Sequence, residues 1–160
     1  MSRASVLPAQ APTTMGFGSS TWANEPPSEA ERAKVKAERS LMRAILNNDV
    51  TEFNKIMSSH QGDVLDIDFE SSGKMTPLHA AMAHGRVDMA SSLIQKKANV
   101  NAVNSIGFTP LMSAANNGHD QCVQIAIKAG ANKSTKSVKG ESALDLAAAK
   151  NFTNIVNLLK

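Results

Sequence analysis

Thr76-Pro77-Leu78-His79-Ala80-Ala81-Met82-Ala83-His84-Gly85 returns as Thr109-Pro110-Leu111-Met112-Ser113-Ala114-Ala115-Asn116-Asn117-Gly118. It returns again, weakened, as Ser142-Ala143-Leu144-Asp145-Leu146-Ala147-Ala148-Ala149-Lys150-Asn151. Each step is 33 residues. A constant period of this size marks a solenoid of stacked units, none of which buries its apolar face alone. Thr76 and Thr109 suit a helix N-cap, because the hydroxyl accepts from an orphan backbone N–H. Pro77 and Pro110 follow at the first helical position, where the missing N–H costs nothing. The small pairs Ala80-Ala81 and Ala114-Ala115 let neighbouring helices lie close. Gly85 and Gly118 end each helix in the left-handed conformation that glycine tolerates. A second apolar run at helical spacing comes next: Val87-Met89-Ala90-Leu93-Ile94, then Cys122-Val123-Ile125-Ala126-Ile127. Ala98-Asn99-Val100-Asn101 and Ala131-Asn132-Lys133 close the units, and the turn glycines Gly107 and Gly140 stand two residues before the next cap.

This pattern resembles the ankyrin repeat over roughly residues 40–160. The family's β-turn, TPLH helix start, Gly-His turn, second helix and Gly-Ala-Asp-Val-Asn exit are met by four segments. They are Thr76-Pro77-Leu78-His79, Gly118-His119, Gly130-Ala131-Asn132 and Asn99-Val100-Asn101. The resemblance implies an all-α solenoid of helix–turn–helix units joined by β-turn fingers. Met112 and Asp145 depart from the motif histidine, and Lys97 from the loop glycine. Gly73 stands three residues before Thr76, which reads as an extra residue in that turn. The expected division is a disordered tail over 1–27 and a repeat domain over 28–160. Its repeats run about 28–70, 71–103, 104–136 and 137–160.

The tail holds Pro8, Pro12, Pro26 and Pro27 with several Ser and Gly and almost no charge. Its Trp22 is the only tryptophan, a residue type able to serve as a short docking motif. Several Ser and Thr and no acid before residue 25 suit a transit peptide, but the single Arg3 is too few basic residues for one. Ser28-Glu29-Ala30-Glu31 is a capping-box pattern that opens a long helix. Arg32, Lys34, Lys36, Glu38 and Arg39 are expected on its solvated face, and Leu41, Met42, Ile45 and Leu46 on its buried one. A second helix follows from Glu52, with Phe53, Ile56 and Met57 inward. The connection to Thr76 reads as three residues longer than its counterpart and carries Asp63, Asp66, Asp68 and Glu70. It lacks the ligands, central glycine and flanking helices of a calcium loop.

The chain has 160 residues, 42% hydrophobic, with a net charge of +3 and a pI of about 9.1. The basic excess is too small to imply nucleic acid. Aromatics are 4% with no tyrosine, which suits a core of Ala, Leu, Ile and Met. The single Cys122 excludes an intramolecular disulfide and a multi-cysteine metal site, and its slot predicts a buried, inert thiol. No apolar run approaches the ~18 residues of a membrane span. The expectation is therefore a cytoplasmic monomer, with a nuclear location as the alternative, and with no cofactor, metal or membrane association.

His79 and His119 are expected to bond the backbone of adjoining repeats, a structural role that the resemblance implies. No Ser/His/Asp or Cys/His set stands apart from the repeat roles, and no glycine-rich loop precedes a helix, so no catalytic residue is named. Repeat proteins bind through extended surfaces. Carried over from the family, the binding positions are the third finger's Val103, Ser105, Ile106 and Phe108, with His84, Asn116, Asn117 and Lys150 on the concave side. Ile106 and Phe108 stand out, because a turn tip is ordinarily polar. The fourth finger is basic, with Lys136 and Lys139 in a run of lysines that also holds Lys128 and Lys133. The resulting polarity along the array can steer a charged partner. The function expected is non-catalytic binding of a protein partner. The alternative is an adaptor or scaffold whose Trp22 tail docks a second protein. The resemblance also implies that Asn101 is a candidate for asparaginyl hydroxylation. Leu93 and Val100 match the preferred context, and Asn99 replaces its acidic residue.

Overall fold

The chain forms eight α-helices among the residues described by a computed structural model, 26–59 and 65–160. They pair as α1 (Glu29–Asn47) with α2 (Val50–Ser59), and α3 (Pro77–Ala83) with α4 (Val87–Gln95). The same pairing joins α5 (Pro110–Asn117) to α6 (Asp120–Lys128), and α7 (Ala143–Ala149) to α8 (Thr153–Leu159). The first helices stack in the order α1, α3, α5, α7, and α4, α6 and α8 form a second row behind them. No strand occurs among the described residues, so the fold is an all-α ankyrin-type solenoid. The sequence expectations for Trp22 and for Asp63 lie outside the described residues.

Each first helix starts as its cap chemistry dictates. The Thr76, Thr109 and Ser142 hydroxyls accept from the backbone N–H three residues on. The side chain at that third position reaches back to the cap, and here the three repeats differ. The His79 ring accepts from the Thr76 N–H at 3.3 Å, the Met112 sulfur from the Thr109 N–H at 3.4 Å, and the Asp145 carboxylate from the Ser142 N–H at 2.8 Å. The departures from the motif histidine thus keep the cap closed. Behind the caps, Leu78, Met82, Leu111 and Ala115 are fully buried, with Met89, Leu93, Cys122 and Val123 from the second row. Each fully buried leucine contributes about 2 kcal/mol through removal from water.

Three sequence readings are corrected. The second finger has no extra residue. The Ser71 N–H donates to the Met75 carbonyl at 2.9 Å, as Asn104 does to Phe108 and Ser137 to Glu141, all four residues apart. Lys74, not Gly73, fills the slot of Gly107 and Gly140, at a left-handed φ of 56°. Lys97 likewise stands at φ 65° where Gly130 stands at 83°. Leu46 is 45% exposed, because the helix ends at left-handed Asn48 and the inward stripe is Ala37, Leu41, Ala44 and Ile45. Asn48, left-handed at φ 59°, is the counterpart of Gly85 at φ 66°. The interval from Asn48 to Gly85 is 37 residues, so the first connection is longer by four, not three.

Candidate functional site

The fingers are joined to one another by main-chain bonds. The Ser105 N–H donates to the Gly73 carbonyl at 2.9 Å, and the Val138 N–H to the Ile106 carbonyl at 3.1 Å. At Gly107 a Cβ would stand 2.9 Å from the Val138 nitrogen, so the third and fourth fingers touch where no side chain fits. The finger bases are also tied. Asp68 accepts from the Asn99 N–H at 2.9 Å, and one repeat later Asn101 accepts from the Asn132 N–H at 2.8 Å. Within each exit turn Asp66, Asn99 and Asn132 accept from the N–H two residues on. Asp68 and Asn101 therefore already serve as inter-repeat clasps.

On this rigid ladder, Ile106 is 49% exposed and Val138 73% exposed, bonded to each other through the main chain. Val103, Ser105, Lys136 and Lys139 are exposed beside them. Phe108 is half-buried and packs against the core, and its carbonyl accepts from His79 Nε2 at 2.9 Å. Val138 escaped the sequence reading because Ser72 and Ser105 hold its slot in the other fingers. The Lys136–Lys139 segment around it was the available signal.

His84, Asn117 and Lys150 occupy one slot in successive repeats, and all three are exposed. They sit at the far ends of the first helices from the fingers, and Asn116 lies half-buried beside them. Asn117 Nδ2 also donates to the Ser113 carbonyl at 2.9 Å. The expected site residues thus form two groups, separated by an eight-residue helix, about 12 Å long.

The groups with reactive chemistry are occupied. His79 Nε2 donates to Phe108, which leaves Nδ1 to accept from Thr76. Burial holds the ring below its usual pKa, against the bond to the Phe108 carbonyl. His119 Nε2 bonds the Ala83 carbonyl at 3.0 Å. Cys122 is fully buried, and that burial pushes its thiol up to about 11. Asp145 is held below its usual range by its bonds from Ser142. Among the described residues, no three His, Cys, Asp or Glu side chains come together as a metal site.

The family model for ankyrin repeats in many copies matches residues 78–127. Over 70 residues the chain is 39% identical to transient receptor potential cation channel subfamily A member 1 of Homo sapiens, covering 42% of this chain and 6% of that protein. Over 88 residues it is 36% identical to the probable E3 ubiquitin-protein ligase XBOS33 of Oryza sativa subsp. japonica, covering 54% and 17%. Over 86 residues it is 30% identical to the NAD-capped RNA hydrolase NUDT12 of Homo sapiens, covering 53% and 19%. The matched segment is less than a fifth of each relative, and a channel, a ligase and a hydrolase have no activity in common to transfer. What the three share with this chain is sequence similarity to its repeat region; residues 78–127 match the ankyrin repeat family, and the 33-residue period, caps and stacked fingers continue into the neighbouring units.

Proposed function

We propose that this chain is a non-catalytic module that binds a partner protein through its finger tips and the column of helix ends. Ankyrin repeats are in general protein–protein interaction modules. The observation that carries the reading is the pair Ile106 and Val138, held in solvent on fingers bonded to each other. Exposed apolar side chains in one patch mark an interface, and a rigid patch loses little entropy on binding. Lys136 and Lys139 beside them favour a partner surface that carries carboxylates. The buried thiol of Cys122 and the engaged rings of His79 and His119 support the non-catalytic reading.

The module acts by occlusion or scaffolding, as a monomer in the cytoplasm or nucleus. No described helix is long and apolar enough to cross a membrane. The alternative, an adaptor whose Trp22 tail docks a second protein, is separated by a pull-down with three baits. They are the wild-type chain, the double variant Ile106→Asp/Val138→Asp, and a chain lacking residues 1–27. Loss of the captured proteins by the double variant alone, with an unchanged melting temperature, supports the finger tips. Loss by the truncation alone transfers binding to the tail.

A further inference from the structure

Helix α1 is longer than its fold role requires. Asn48 corresponds to Gly85, so Ser40 of α1 stands in the slot that Pro77 fills in α3. The preceding eleven residues, 29–39, extend past the start of the repeat helix. Residues 29–36 are exposed without exception. Of these eleven only Ala37 is buried, so solenoid packing does not account for residues 29–36 of this arm.

Four cations share one face of α1, three on the arm and one just beyond it. Arg32, Lys36, Arg39 and Arg43 recur at i, i+4, i+7 and i+11, a helical stripe about 16 Å long. With exposed Val35 and with Glu31 they line a shallow groove of about 570 Å³. None of the four sits in an ion pair with another described residue. The ion pairs among the described residues join Lys34 to Glu38 at 3.8 Å and Lys55 to Glu52 at 3.7 Å. Glu31 is engaged at the helix cap, where it accepts from the Ser28 N–H at 2.7 Å. The stripe therefore sets four like charges against one another in three neighbouring pairs, an arrangement that destabilises a free helix. An anionic partner relieves it.

We infer that the arm docks an acidic helical segment of a partner protein, at a surface separate from the finger tips. A helix with carboxylates at the same i, i+4, i+7, i+11 spacing lies alongside and meets each cation in turn. Three of the four cations are arginines, whose planar fork takes a carboxylate bidentately. A nucleic acid fits less well, because Glu29, Glu31 and Glu38 interleave with the cations and repel a continuous phosphate chain. A membrane surface requires an apolar face, and Val35 alone does not supply one. A second copy of this chain has no described helix with four carboxylates at that spacing.

The test uses the full chain and two labelled peptides of about fifteen residues. Both are built from Ala, Gln and four Glu. One carries the glutamates at i, i+4, i+7 and i+11, and the other spreads them around the helix. The on-face peptide should bind at least about tenfold tighter than its isomer, with the difference lost at about 0.5 M salt. R32E with R39E should remove that preference while leaving the melting temperature unchanged. If this variant alters the fold by circular dichroism, Lys36→Gln with Arg43→Gln should weaken the on-face peptide instead. Equal binding of the two peptides overturns the proposal. So does a preference that survives the substitutions, or tighter binding to a short DNA duplex or to phosphatidylserine vesicles. Neither variant touches the fingers, so this result and the finger-tip result stand apart.

Discussion

Replacing Gly107 with alanine tests whether the fingers act as one body. Gly107 and Gly140 share a slot and a left-handed backbone, at φ 74° and 78°. An alanine in that conformation costs about 1–2 kcal/mol at either position. The surroundings differ. At position 140 a Cβ meets nothing within 4 Å. At position 107 it meets the Val138 nitrogen at 2.9 Å and the Ser137 Cα and carbonyl carbon at 3.2 Å. These are backbone atoms, which cannot swing aside as a flexible side chain does. Overpacking of this kind adds about 1–3 kcal/mol. The bond from the Val138 N–H to the Ile106 carbonyl, lost when the fingers part, adds about 1 kcal/mol. Gly107→Ala should therefore destabilise the chain by about 3–6 kcal/mol and Gly140→Ala by about 1–2. Urea unfolding followed by circular dichroism separates them, since a 2 kcal/mol gap moves the midpoint by about 1 M. Amide exchange at Val138 should also accelerate in Gly107→Ala alone. Equal midpoints would mean that the contact between fingers places no constraint on the fold.

Leu111→Ala should cost roughly 2–5 kcal/mol, and Leu78→Ala as much, since both side chains are fully buried in the middle repeats. The loss should spread through the array, because each repeat is held by its neighbours; wild-type denaturant midpoints would contradict this. The His79 ring has a lowered pKa in the fold, chiefly from burial, so the unfolded chain takes up a proton that the folded chain refuses. That contribution to stability is fully present above the ordinary value of 6.5 and is lost as pH falls below it. Unfolding midpoints between pH 7.5 and 5 should therefore fall more steeply for the wild type than for His79→Asn. Hydroxylation at Asn101 is a proposal resting on the family resemblance. Incubation with an asparaginyl hydroxylase should add one oxygen to the peptide around Asn101. A gain seen only after Asn99→Asp would show that the natural chain lacks the required acid.

The sequence exposed what local chemistry decides. Thr76 and Thr109 as caps, proline behind them and glycine at the helix ends are choices made within four residues, and the structure uses each as read. His79, His119 and Cys122 were legible because their slots recur with the period. The errors came where the fold overrides a local rule. Lysine is a poor left-handed residue, so Lys74 was passed over for Gly73; the hairpin bond from Ser71 to Met75 imposes the conformation. Leu46 continued an apolar run in the sequence but falls off the buried stripe of α1. Val138 was hidden because its counterparts Ser72 and Ser105 are polar, and only the stacking of fingers sets it beside Ile106. Phe108 was legible as a finger residue, and its side chain is half-buried against the core.

Site-specific photo-crosslinking reads out whether the finger-tip patch binds a partner protein. A photoreactive residue is placed at Val138, at His84 and, as a control, at exposed Asn157 on the last helix. The full chain is irradiated in an extract of its own source, with and without excess unlabelled wild type and excess Ile106→Asp/Val138→Asp. A discrete adduct is expected from position 138, a fainter one from position 84 and none from 157. Wild type should compete it away, and the double variant should fail to compete. An adduct at 138 displaced equally well by the double variant, or adducts confined to 157, would contradict binding through the patch.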